Sequence, residues 1–134
     1  MMTDIIYKTN VTPLPEQIIA LYDAAGLPRP TNDSERIRTM YEHSDIIVSA
    51  WQEETLVGVA RSITDKAWCC YLADLAVDPL IKKSGIGKKL IDITRELIGD
   101  ECTLILLSVP TAMDYYPKVG FTKLDNCFWI NRKK

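Results

Sequence analysis

Apolar residues recur along this chain with two different periods. Between residues 15 and 25, Ile18, Leu21, Tyr22 and Ala25 fall at i, i+3, i+4 and i+7, which lines one face of an α-helix. Proline in the first turn and Gly26 just past the end suit the start and stop of that helix. Leu27-Pro28-Arg29-Pro30 then forbids regular structure, because each proline fixes its own φ and removes a backbone donor. Asn32-Asp33-Ser34-Glu35 reads as a capping box ahead of a second helix, with Ile37, Met40 and Tyr41 on its inner face.

The period then drops towards two. Residues 46–51, 56–63 and 68–77 read as strands, the first two joined by a tight turn, and residues 5–8 as a short strand at the start. Asp78-Pro79 ends the third long strand. A basic loop with two glycines leads into a helix ending near residue 98, with Ile86, Leu90, Ile93 and Leu97 as its apolar stripe. Gly99-Asp100 precedes a strand over 103–108, a short helix over 112–119, and a final hairpin of 121–124 and 128–130. The order β-α-α-β-β-β-α-β-α-β-β predicts an α/β fold with a central mixed sheet and helices on both faces. Residues 68–108 form a β-α-β crossover, which predicts a parallel pair.

Composition narrows the picture without deciding it. With 134 residues, 47% hydrophobic and 25% charged, the chain suits one globular domain over 1–134. A formal net charge of −2 gives no overall field towards nucleic acid or an anionic membrane, so neither is expected as a partner. The four cysteines include no C-x-x-C pair and His43 is the single histidine, so no metal site is expected. The cysteines read as small apolar residues in a reducing compartment. The N-terminus has no signal-peptide pattern and no apolar run approaches the length of a membrane span, so the expectation is a cytoplasmic protein.

Candidate chemistry concentrates in one stretch. Leu75-Ala76-Val77-Asp78-Pro79 closes a strand, and Lys82-Lys83-Ser84-Gly85-Ile86-Gly87-Lys88 opens an amphipathic helix. Free N–H groups at a helix N-terminus, together with the helix dipole, form an anion site that glycines leave accessible. A Walker loop fails, since Lys82 stands where its first glycine belongs and Lys89 follows Gly87-Lys88; the dinucleotide fingerprint fails at Leu90.

The segment resembles the coenzyme A loop of the GNAT N-acetyltransferase superfamily, [Q/R]-x-x-G-x-[G/A] after L-x-V-x-P. Leu75, Val77, Pro79, Gly85 and Gly87 match, and Lys82 departs from Gln/Arg. Ala112-Met113-Asp114-Tyr115-Tyr116-Pro117-Lys118-Val119-Gly120-Phe121 resembles the family's late A-x-x-F-Y-x-x-x-G-F segment. The likeness covers nearly the whole chain.

The resemblance implies an acetyl-CoA-dependent acyltransferase, acting on a small-molecule or peptide amine. A catalytically silent acetyl-CoA sensor of the same fold is the alternative. It implies that the main chain of Leu75, Ala76 and Val77 pairs with the pantetheine arm, and that the backbone of Lys82 through Lys88 holds the pyrophosphate. Tyr116 falls on the general-acid position. No base stands at the family's strand positions, here Tyr71 and Ala73. Asp74 is either a base or a structural hydrogen-bond acceptor, and strict alternation puts it on the face opposite Tyr71 and Ala73. Without a base, water relays the proton or the amine arrives neutral. The loop 26–32 and the second helix are expected beside the acceptor, and apolar edges near the C-terminus suit a homodimer.

Overall fold

The computed structural model describes residues 4–81 and 85–134; Lys82, Lys83 and Ser84, which the sequence places in the anion loop, lie outside the described residues. Strand β1 (Ile5–Lys8) is followed by helices α1 (Pro15–Ala25) and α2 (Ser34–Glu42). Strands β2 (Ile46–Gln52), β3 (Thr55–Thr64) and β4 (Cys69–Val77), helix α3 (Ile86–Ile98) and strand β5 (Thr103–Ile105) complete the frame. The sheet runs in chain order, antiparallel from β1 to β4 and parallel between β4 and β5, so the expected crossover pair is present.

Local chemistry accounts for the helix ends. Gln17 accepts from the Leu14 N–H at 2.9 Å and Gly26 closes α1 at φ 72°, a left-handed value that glycine adopts without cost. The Asp33 carboxylate caps α2 by accepting from the Arg36 N–H at 3.1 Å.

The sheet carries a cluster on each face. Val48, Ala50, Val57, Cys70 and Leu72 pack with Ile86, Leu90 and Ile91 of α3. Val59 and Ala76 pack on the other face with Ile18, Leu21, Tyr22, Ile37 and Tyr41 of α1 and α2. On α3 the buried stripe is Ile86, Leu90, Ile91, Thr94 and Ile98, rotated from the one expected; Leu97 is exposed. Thr94 is tolerated inside because its hydroxyl donates to the Leu90 carbonyl at 2.8 Å.

Three expectations need correction. The short helix over 112–119 is two 3₁₀ turns, Pro110–Ala112 and Tyr116–Val119, since Pro117 supplies no N–H for a longer α-helix. The final hairpin is not formed: residues 121–130 have no strand partner among the described residues, and Leu124, Phe128 and Ile130 are exposed. Cys69 and Cys127 are exposed rather than buried, although all four cysteines are free.

A fourth correction concerns the faces of β4. Arg61 pairs with Asp74 and Ser62 with Leu72, which leaves Ala73 as an extra residue, a β-bulge. Before it, Cys70 and Leu72 point to the α3 side; after it, Leu75 and Val77 do, and Asp74 and Ala76 turn towards α1 and α2. Tyr71, between Cys70 and Leu72, therefore shares the side of Asp74, and strict alternation fails there.

Candidate active site

β4 is paired with β3 along the span from Cys70 to Val77, but with β5 only at Cys69, Cys70 and Tyr71. Because β5 ends at Ile105, the far edge of β4 from Leu72 onward has no strand beside it among the described residues. A cavity of about 190 Å³ fills the fork. Leu75, Ala76 and Val77, the expected pantetheine residues, line one wall; Leu106, Val109 and Tyr116 line the other, with Leu27 and Arg29 from the loop after α1.

The anion loop ends beside this fork. Gly85 takes φ 88° as the N-cap of α3, and the first helical bond runs from the Lys89 N–H to the Gly85 carbonyl at 2.8 Å. The amides ahead of Lys89 have no helical acceptor and no side chain caps them among the described residues. Ile86 is buried under the sheet, so of the expected loop residues its main chain alone is offered. The Lys88 ammonium pairs with Asp92 at 2.7 Å in an exposed i,i+4 contact. A Cβ on Gly87 would stand 2.5 Å from the Tyr115 hydroxyl, so the loop's second glycine makes room for that phenol.

Tyr116 is half-buried, edge-on to Tyr115 (centroids 5.3 Å) and to Phe121 (5.6 Å). Burial raises its pKa, neighbouring Tyr115 adds to this, and Arg29 opposes it. The phenol thus stays protonated at neutral pH and faces the same cavity as the open edge of β4.

Asp74 lies behind that edge, buried, at the centre of a charge network. Oδ1 accepts from Arg29 Nε at 2.6 Å; Oδ2 accepts from Arg61 Nε and the Tyr22 hydroxyl, each at 2.7 Å. Arg61 also donates to Ser44 Oγ, and Tyr22 shares a hydrogen bond with Tyr41. Burial pushes the carboxyl pKa up, but the Arg61 hydrogen bond and the charges of Arg61 and Arg29 overcome it and hold the group below the usual carboxylate range. The structure thus brings Tyr116 and Leu75–Val77 to one cavity and keeps Asp74 on cations beside it.

Two residues escaped the sequence reading. Tyr115 stands in the late motif beside Tyr116, but its approach to Gly87 of the loop has no signal in the sequence. Arg29 was hidden by 45 residues of separation from Asp74, although an arginine between two prolines is a guanidinium on a stiff mount.

A family model described as an acetyltransferase (GNAT) domain matches residues 24–130. The chain belongs to the GNAT acetyltransferase family. It is an acyltransferase by that membership. GCN5-related N-acetyltransferase 1, chloroplastic, of Arabidopsis thaliana is 27% identical over 110 residues; the match takes in 79% of this acetyltransferase and 55% of the longer relative. A probable acetyltransferase of meticillin-resistant Staphylococcus aureus superposes with a TM-score of 0.82 at 18% identity, covering 96% of this chain and 100% of that one. The aminoglycoside N-acetyltransferase AAC(6')-Iy, in complex with CoA, has a TM-score of 0.73 at 11% identity, covering 100% and 98%. These two likenesses establish the fold of this GNAT chain. Among its described residues no helix is long and apolar enough to cross a membrane, and no cluster of metal-ligating side chains occurs.

Proposed function

We propose that the protein transfers the acetyl group of acetyl-CoA to a primary amine of a small molecule or peptide, with residues 1–134 working as one domain. The observation that carries this reading is the open edge of β4 facing Tyr116 across one cavity. The main chain of Leu75, Ala76 and Val77 pairs with the amides of the pantetheine arm, as an added strand would. An N–H near Leu75 steadies the charge that develops on the thioester oxygen. Gly85, Ile86, Gly87 and Lys88 hold the pyrophosphate on free amides, joined by Lys82, Lys83 and Ser84. The CoA bound to AAC(6')-Iy supports this use of the fold.

The amine nitrogen forms a bond to the acetyl carbon as the carbon–sulfur bond breaks. Tyr116 gives its proton to the departing thiolate and regains one from solvent; the proton on the amine leaves to water. Asp74 takes no part, because its lone pairs already meet two guanidinium groups and a phenol. The free cysteines support a reducing compartment, and the cytoplasm is the one proposed. Exposed Leu124, Phe128, Trp129 and Ile130 support a second copy as partner, which a concentration-independent monomer in sedimentation would refute.

Tyr116→Phe tests the chemistry. It keeps the ring and removes the donor, so kcat should fall by about 10²–10⁴-fold. Acetyl-CoA at 100 times its Kd should still stabilise the variant by about 2.7 kcal/mol. Joint loss of stability and binding would reduce Tyr116 to packing. The held state of Asp74 favours one other reading, a silent acetyl-CoA sensor; tight binding without turnover on any amine would establish it.

A further inference from the structure

Arg29 is the only charged side chain among the described residues that line the cleft. Its Nε donates to Asp74, its Nη1 to the Pro28 carbonyl at 2.7 Å, and its Nη2 to the Ala73 carbonyl at 2.9 Å. A guanidinium has five N–H donors, so two, one on each terminal nitrogen, have no partner among the described residues. The Ala73 carbonyl belongs to the bulged residue, which has no partner in the β3 register. The bulge and the Pro-Arg-Pro mount therefore fix the guanidinium at the cleft wall before any acceptor arrives.

Charge at this wall is unbalanced. Arg29 and Arg61 share the single carboxylate of Asp74, which leaves an excess of one positive charge. Arg61 is buried behind the sheet, whereas the Arg29 side chain remains 22% exposed, so the excess is felt in the cleft. Arg29 also draws down a pKa that burial has raised at Tyr116, which brings its charge within electrostatic reach of the proposed acid.

We propose that the acceptor amine carries a carboxylate, as an amino acid or short peptide does, and that Arg29 selects for it. A carboxylate takes both spare N–H donors in charge-assisted bonds, and the guanidinium loses no further freedom in making them. An acceptor with several positive charges meets a fixed like charge in a partly desolvated site. This inference rests on the acetyl-transfer reading.

The test compares alanylphenylalanine, its C-terminal amide and spermidine as acceptors, in full-length protein saturated with acetyl-CoA. The two peptides share an amine environment and differ in the carboxylate. The free acid should show a KM at least about tenfold lower than the amide, the range of a hydrogen bond to a charged group, and spermidine should be the poorest. Arg29→Gln should bring the KM of the acid up to that of the amide while the melting shift given by acetyl-CoA persists. Arg29→Lys keeps the charge without the fork and should fall between, which covers the case where glutamine impairs folding. An acid no better than its amide, whether both turn over or neither does, overturns the inference. So does a preference for the acid that survives Arg29→Gln. Loss of the acetyl-CoA shift in the wild type would instead mark failure of the acetyl-transfer reading itself.

Discussion

At Cys70 and Tyr71, β4 is paired with a strand on each side; from Leu72 to Val77 it has, among the described residues, a strand on one side only. The first part is ordinary sheet, with Cys70 buried beneath α3. The second begins at a bulge, turns an aspartate into the α1/α2 face and leaves an edge open to a cavity. Apolar packing and a two-sided ladder hold the first. Beyond Leu72 the outer ladder is missing, while Leu75, Ala76 and Val77 still pack into the two cores and Asp74 is anchored from behind by Arg29, Arg61 and Tyr22.

The largest way to break this division is Asp74→Ala. Removing the shared carboxylate strands two guanidinium groups and should cost about 3–5 kcal/mol by urea denaturation. An activity loss with unchanged stability would instead return Asp74 to the chemistry. Because its pKa is lowered in the folded protein, the contribution of Asp74 is complete above the unfolded carboxylate value of about 3.9. It is lost as pH falls through the lower folded value. Wild type and variant should therefore differ most in stability above pH 4 and converge at lower pH.

Amide hydrogen exchange sharpens the comparison directly. Saturating acetyl-CoA should slow exchange within residues 75–77 and leave 69–71 unchanged; equal slowing in both would place the ligand elsewhere. A smaller effect concerns the packing under the same strands. A Cβ on Gly58, which pairs with Val77, would lie 3.1 Å from Ile86 Cγ2 and 3.2 Å from Leu90 Cδ1, so Gly58→Ala should cost about 1–3 kcal/mol through forced repacking. The smallest effect belongs to Gly87→Ala. The gain of about 1 kcal/mol from replacing a helical glycine is opposed by the Tyr115 hydroxyl. The gain should emerge in the Tyr115→Phe background, and a double-mutant cycle with no coupling would show that the phenol does not occupy that space.

What the sequence disclosed follows the same division. Helix α1 matched its expected limits because Pro15 and Gly26 mark them chemically, and β1 matched through its apolar run. The anion loop and Tyr116 could be proposed from the sequence because their glycines and phenol follow a spaced pattern. The bulge at Ala73 left no such trace: one extra residue changes which side every later side chain takes without altering composition. That slip is why the faces of Tyr71 and Asp74 were misassigned. The C-terminal pattern Phe128-Trp129-Ile130 has the residues of a strand, but a strand also needs a partner edge, which local sequence does not encode.

The network at Asp74 also bears on the order in which the protein is made. Arg29 and Arg61 leave the ribosome 45 and 13 residues ahead of their common partner. Helices α1 and α2 and strands β1 to β3 can begin to assemble before then, but they carry two guanidinium groups whose carboxylate has not yet been synthesised. Closing Arg61 and Tyr22 around a buried anion must wait for β4, so a nascent chain halted before residue 74 has reason to stay open. The arrival of one carboxylate then commits the first half of the molecule at the moment the strand that forms the groove is in hand.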